Sequence, residues 1–183
     1  MRPRTGRVDR GPDERIPFEV CEALAPLVVQ LWNLDEAIAR LDRTIAKMAQ
    51  KDETARRLMS IPGFGPITAS AMGATIQDTS GFAGPREFAA FLGLTPKQNS
   101  SGGKQKLGRI SKMGNRYLRK LLVVGAHAVL FHRKPHTDPL RTWAKKLIEK
   151  KPLKLAAVAL ANKMARIAFA ILRSKTVYRE IPA

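Results

Sequence analysis

Residues 55–76 read ARRLMSIPGFGPITASAMGATI. The pattern is helix, tight turn, helix, with the turn at Ile61-Pro62-Gly63-Phe64-Gly65. Two glycines separated by one residue permit backbone angles that other residues avoid. They also let amide N–H groups approach a ligand, and the helix start at Pro66 to Thr68 adds a positive dipole end. The stretch therefore reads either as an ordinary helical hairpin or as one that grips phosphate through Gly63 and Gly65.

Working outward, helical spacing recurs and no strand pattern persists. The expected fold is all-α: an N-terminal coiled-coil helix, then a compact helical domain containing the hairpin. Between Leu24 and Met48, Leu31, Leu34, Ile38, Leu41, Ile45 and Met48 fall at steps of three and four, the seam of a short coiled coil. The seam either packs on its own domain or pairs with a second copy. Residues 1–17 are rich in Arg, Gly and Pro with little to bury, and read as a disordered lead-in. The expected boundaries are 18–52 for the coiled-coil helix, 53–178 for the helical domain and 179–183 for a tail.

Downstream, Pro85 to Leu92 reads as a short helix stopped by Gly93, with Phe88, Phe91 and Leu92 in the core. Asn115 is the expected cap of a helix from Arg116 to about His132. Residues 133–139 read as a Pro-interrupted linker. Leu140 to Glu149 reads as a basic helix burying Trp143 and Leu147. Leu153 to Leu172 reads as the helix completing the core through Leu155, Val158, Ala159, Asn162, Ala165, Ile167, Phe169 and Leu172.

The 183 residues carry 33 Lys+Arg against 15 Asp+Glu, a net charge of +18. This excess fits binding to a phosphate backbone better than a small-molecule site. Lys154, Lys163 and Arg166 interrupt the longest apolar run, so no spanning helix is expected. The N-terminus lacks the apolar region of a signal peptide. The single Cys21 fits a reducing compartment, and a cytoplasmic location is expected.

The charge concentrates between Phe91 and Leu122, FLGLTPKQNSSGGKQKLGRISKMGNRYLRKLL, which holds Lys97, Lys104, Lys106, Arg109, Lys112, Arg116, Arg119 and Lys120. No Asp or Glu occurs from Phe88 to Thr137. A one-sign run of this length points to an anionic partner. Arg116, Arg119 and Lys120 crowd a helix N-terminus, where the dipole disfavours cations, so function rather than local stability is the reason for them. Magnesium needs oxygen ligands that this stretch does not offer, so no metal site is expected in it. His127, His132 and His136 read as structural or surface groups. Ser100 and Ser101, on a Ser-Ser-Gly-Gly turn, either connect elements or attack phosphate with Lys104, Lys106 and Arg109 stabilising the transition state; spacing alone favours the connection.

Three ordered segments carry a resemblance: Leu58 to Ala74, Phe91 to Lys120, and Ala156 to Arg173. Together they resemble the C-terminal domain of insertion-sequence 110 and 1111 family transposases, over about Leu24 to Tyr178. The resemblance implies a bacterial DNA recombinase whose serine, by position Ser101 with Ser100 as rival, forms a covalent phosphoserine link. It further implies that the hairpin is a helix-hairpin-helix, that the coiled coil dimerises, and that a guide RNA bridges the DNA partners. Nucleic acid would be held by Gly63, Gly65, Lys104, Lys106, Arg109, Lys112, Arg116 and Arg119. The family's RuvC-like half, whose acidic residues hold magnesium, is not supplied by residues 1–17, so magnesium is expected from outside this chain. The chain then reads as the C-terminal portion of a transposase, truncated or acting with a partner. The rival readings are a DNA- or RNA-binding module without chemistry, and a coiled-coil interaction protein with a solubilising basic face.

Overall fold

The computed structural model describes residues 17–99, 107–131 and 138–179. The chain divides into two compact units, residues 1–43 and 44–183. Helix α1 (Phe18–Lys51) is followed by α2 (Glu53–Met59), α3 (Pro66–Thr75), α4 (Pro85–Phe91), strands β1 (Pro96–Gln98) and β2 (Leu107–Ile110), then α5 (Arg116–Phe131), α6 (Pro139–Lys150) and α7 (Leu153–Ser174). The fold is all-α apart from one small antiparallel ribbon of β1 and β2. Among the described residues that ribbon is the one departure from the expected class. Its strands are too short to show alternation in the sequence.

In the first unit, α1 exposes Leu24, Leu27, Leu31, Leu34, Ile38 and Leu41 at heptad spacing. The helix outruns its periodic stretch at both ends. It stops where Asp52 leaves helical angles (φ −79°, ψ 120°) and accepts the Thr54 N–H at 2.9 Å, so one residue separates α1 from α2.

In the second unit α7 is the central element, packed against α2, α4, α5 and α6. It buries Ala156, Ala157, Leu160, Ala161, Met164, Ala165, Ala168, Phe169 and Ile171. This corrects the expected face: Leu155 is exposed, and Val158, Ala159, Asn162 and Ile167 are only half-buried. A run of alanines on one side lets neighbouring helices approach closely, and that contact rather than the larger side chains decides which way the helix turns. By length and composition α7 could cross a membrane, but half of its most apolar window is buried against the other helices. In α6, Leu140 and Ala144 are buried, while Trp143 and Leu147 are half-buried at its edge.

A cluster of phenylalanines seals α4 to α7. Phe82 meets Phe88 edge-on at 5.2 Å and Phe91 at 5.3 Å, and Phe88 lies 5.5 Å from Phe169. Phe88 and Leu92 are fully buried as expected, but Phe91 is 42% exposed.

Candidate nucleic-acid interface

The turn between α2 and α3 is built on buried Ile61 and Phe64. The Phe64 N–H donates to the Ile61 carbonyl at 3.0 Å, and the Ile61 N–H to that of Leu58 at 3.0 Å. The two glycines do different work. Gly63 has φ +88°, and a Cβ there would lie 2.7 Å from the Gly125 carbonyl oxygen and 2.8 Å from the Met164 Cε. Gly125 on α5 is the reciprocal contact, its would-be Cβ only 2.2 Å from the Gly63 oxygen. The turn thus rests backbone-to-backbone on α5. Gly65 faces open space, heads α3 without a side-chain cap, and is followed by Pro66 in the first turn. The outward part of the hairpin is Gly65 and the start of α3.

The second element is a backbone clasp. Gly93 (φ +68°) and Gly114 (φ +101°) press together; a Cβ at Gly114 would sit 1.8 Å from the Phe91 oxygen, and one at Gly93 2.2 Å from that of Met113. The Lys112 N–H donates to Gly93 O at 3.2 Å and the Ser111 N–H to Thr95 O at 2.8 Å. Lys112 itself has φ 54°, a left-handed angle seldom adopted outside glycine. The clasp sets the base of the ribbon, in which Pro96 pairs with Ile110 and Gln98 with Leu107. The chain between the strands contains Ser100, Ser101, Lys104 and Lys106, all outside the described residues.

The N-terminus of α5 lies beside the clasp. The Asn115 Oδ1 accepts the Leu118 N–H at 3.0 Å, which bears out its role as cap. Arg119 turns inward, half-buried, and its Nη1 donates to the Leu92 carbonyl at 3.1 Å. Lys97, Arg109, Lys112, Arg116 and Lys120 are exposed, and among the described residues none of them is in an ion pair. Unpaired charges of one sign add their fields over the surface instead of cancelling.

The structure adds Lys163 and Arg166 of α7 to this surface, which the sequence shows only as interruptions of an apolar run. Along with Arg109 they line a groove of about 820 Å³ between the ribbon and α7, with Trp143 of α6 also in its wall. The Lys163 Nζ lies 4.4 Å from the Trp143 ring centroid. Asn162 joins the walls, its Nδ2 donating to the Leu94 carbonyl at 3.1 Å. Among the described residues no three His, Cys, Asp or Glu side chains come together as metal ligands, so the donors present do not fit a magnesium ion. His127 stacks on Phe131, centroids 6.1 Å apart and planes 14° from parallel; His132 and His136 lie outside the described residues.

Residues 55–140, which contain the turn, the clasp, the ribbon and α5, match the transposase IS116/IS110/IS902 family. The chain is 44% identical over 164 residues to a probable family 20 transposase of Pseudomonas aeruginosa, covering 90% of this chain and 48% of that protein. It is 44% identical over 153 residues to the transposase for insertion sequence element IS1111A of Coxiella burnetii, covering 84% and 42%. The transposase for element IS1328 of Yersinia enterocolitica is 38% identical over 168 residues, covering 91% and 50%. The chain therefore spans half the length of these curated relatives or less. Residues 55–140 thus match the IS116/IS110/IS902 transposase domain, and the similarity to these transposases extends over most of the chain.

Proposed function

We propose that this chain is the DNA-handling, serine-bearing part of an insertion-sequence transposase. The observation that supports this most is the set of exposed cations Lys97, Arg109, Lys112 and Arg116 on the ribbon and at the start of α5, in a stretch of sequence without Asp or Glu that the transposase family matches. In this reading Arg109, Lys112 and Arg116, with Lys104 and Lys106, hold phosphate, and Gly65 with the start of α3 adds backbone N–H groups. Arg119 acts by holding the clasp. Ser101, with Ser100 as the alternative, is the nucleophile: its Oγ bonds to phosphorus as one P–O bond to deoxyribose breaks. The serine loses its proton and the departing sugar oxygen gains one, so the number of phosphoester bonds is unchanged. Magnesium would come from an acidic domain outside this sequence. The exposed seam of α1 serves self-association, a guide RNA is a further partner, and the site of action is the bacterial cytoplasm.

A test is to incubate the protein with magnesium and end-labelled DNA carrying an element junction, then run a denaturing gel. A protein–DNA band lost in Ser101→Ala and kept in Ser100→Ala supports the assignment. A band that persists in Ser101→Ala refutes it. Binding without any adduct favours a second reading, a binding module without chemistry, which the same cationic surface supports by itself.

A further inference from the structure

The groove between the ribbon and α7 combines features that a bare phosphate surface does not need. Among the described residues, its lining joins the apolar Val158, Ala159 and Ile167 to Arg109, Lys163 and Arg166 and includes no carboxylate. Asn162 is held in one orientation by its bond to the Leu94 carbonyl, and that bond uses one N–H of its amide. The amide's remaining N–H and its oxygen are the groups that pair with a nucleobase edge. Apolar walls suit the faces of a base, and cations among them suit the phosphates on either side of it. The volume of about 820 Å³ lies in the small-ligand range of about 300–1,000 Å³.

From these observations we infer that the groove takes an unpaired nucleotide of a single-stranded nucleic acid, its base against α7 and its phosphates at Arg109 and Arg166. This rests on the nucleic-acid reading above and specifies the strand state. A base inside a duplex is stacked on both faces and cannot enter. An amphipathic acidic protein segment would also satisfy the charge, but it gives the oriented amide of Asn162 no particular role.

The test uses the full chain and its two tryptophans. Trp32→Phe leaves Trp143, in the groove wall, as the sole tryptophan, excited apart from the tyrosines at the red edge of its absorption. A fluorescein-labelled single-stranded oligodeoxynucleotide and its duplex are titrated separately. Anisotropy reports binding anywhere on the protein, and Trp143 emission reports the groove. The expected result is that the single strand changes Trp143 emission and the duplex does not. Ala159→Phe, which fills the groove, should remove the emission response and weaken single-strand binding about tenfold, in line with the loss of one stacked base. Arg166→Ala, at an exposed position, repeats the test with little risk to folding. If anisotropy shows the strand bound while Trp143 stays silent, the groove assignment is overturned and the nucleic-acid reading stands. If no nucleic acid binds, both fall. If an acidic amphipathic peptide moves Trp143 emission and the strand does not, the groove belongs to a protein partner.

Discussion

Gly125→Ala and Gly73→Ala are the same substitution in two helices, and the structure assigns them opposite signs. In a helix interior, replacing glycine by alanine gains about 1 kcal/mol because the unfolded chain loses freedom and helix propensity improves. At Gly73 of α3 the added methyl meets the Thr54 Cγ2 at 3.6 Å and the Asp52 Oδ2 at 3.9 Å, ordinary contact, so most of that gain survives. At Gly125 the methyl would stand 2.2 Å from the Gly63 carbonyl oxygen, where ordinary carbon–oxygen contact begins near about 3.3 Å. The turn and α5 must part by about 1 Å, and the obstacle is backbone rather than a side chain that can rotate away. Overpacking of this kind costs about 1–3 kcal/mol, and a backbone obstacle places it at the upper end. Subtracting the helix gain leaves a net loss of about 2 kcal/mol. For a chain of this size that lowers Tm by about 4–8 °C, whereas Gly73→Ala should raise it by about 2 °C. Thermal melts followed by circular dichroism, paired with urea midpoints, measure both variants. If Gly125→Ala melts at or above the parent protein, the turn is not seated on α5 as described, and the structural role given to Gly63 fails with it.

Asp138 is 2% exposed and accepts both the Leu140 N–H at 3.0 Å and the Tyr178 hydroxyl at 2.9 Å. Asp138→Ala should cost about 3 kcal/mol and Tyr178→Phe about 1.5, with a double-mutant coupling near 1 kcal/mol, since they share one bond; additive urea midpoints would contradict this. Arg119→Ala should lower stability by about 2 kcal/mol through loss of the bond to the Leu92 carbonyl. Arg116→Ala should leave Tm unchanged but reduce the salt slope of DNA binding by about 1, so reversed effects in melts and filter binding would exchange the two roles. Hydrogen bonds from the Ser80 hydroxyl, then from the Ser80 N–H, hold the exposed Asp78 carboxyl below its ordinary 3.8. A depressed folded pKa contributes stability above the unfolded value and loses it as pH falls through the folded one. Ser80→Ala should therefore raise the Asp78 midpoint toward 3.8 and flatten that acid limb, read by NMR titration; an unmoved midpoint would show that Ser80 is not the cause.

The sequence alone determined the helical class, the helix–turn–helix at 55–76, the Asn115 cap and the acid-free stretch at 88–137. Each is set by near neighbours: apolar spacing, a glycine pair, a side chain reaching its own backbone three residues on, a run of charge. The family could be read for the same reason, because its motifs are contiguous. Only the tertiary structure decided which glycine of the turn faces a helix and which faces solvent. It also turned Arg119 inward while Arg116 stayed out, and rolled α7 so that Leu155 and Asn162 border a groove instead of filling the core. Those outcomes depend on partners far along the chain: Gly125 for Gly63, Leu92 for Arg119, Leu94 for Asn162. α7 carries apolar side chains on more than one face, so the neighbours that pack closest choose which of them is buried.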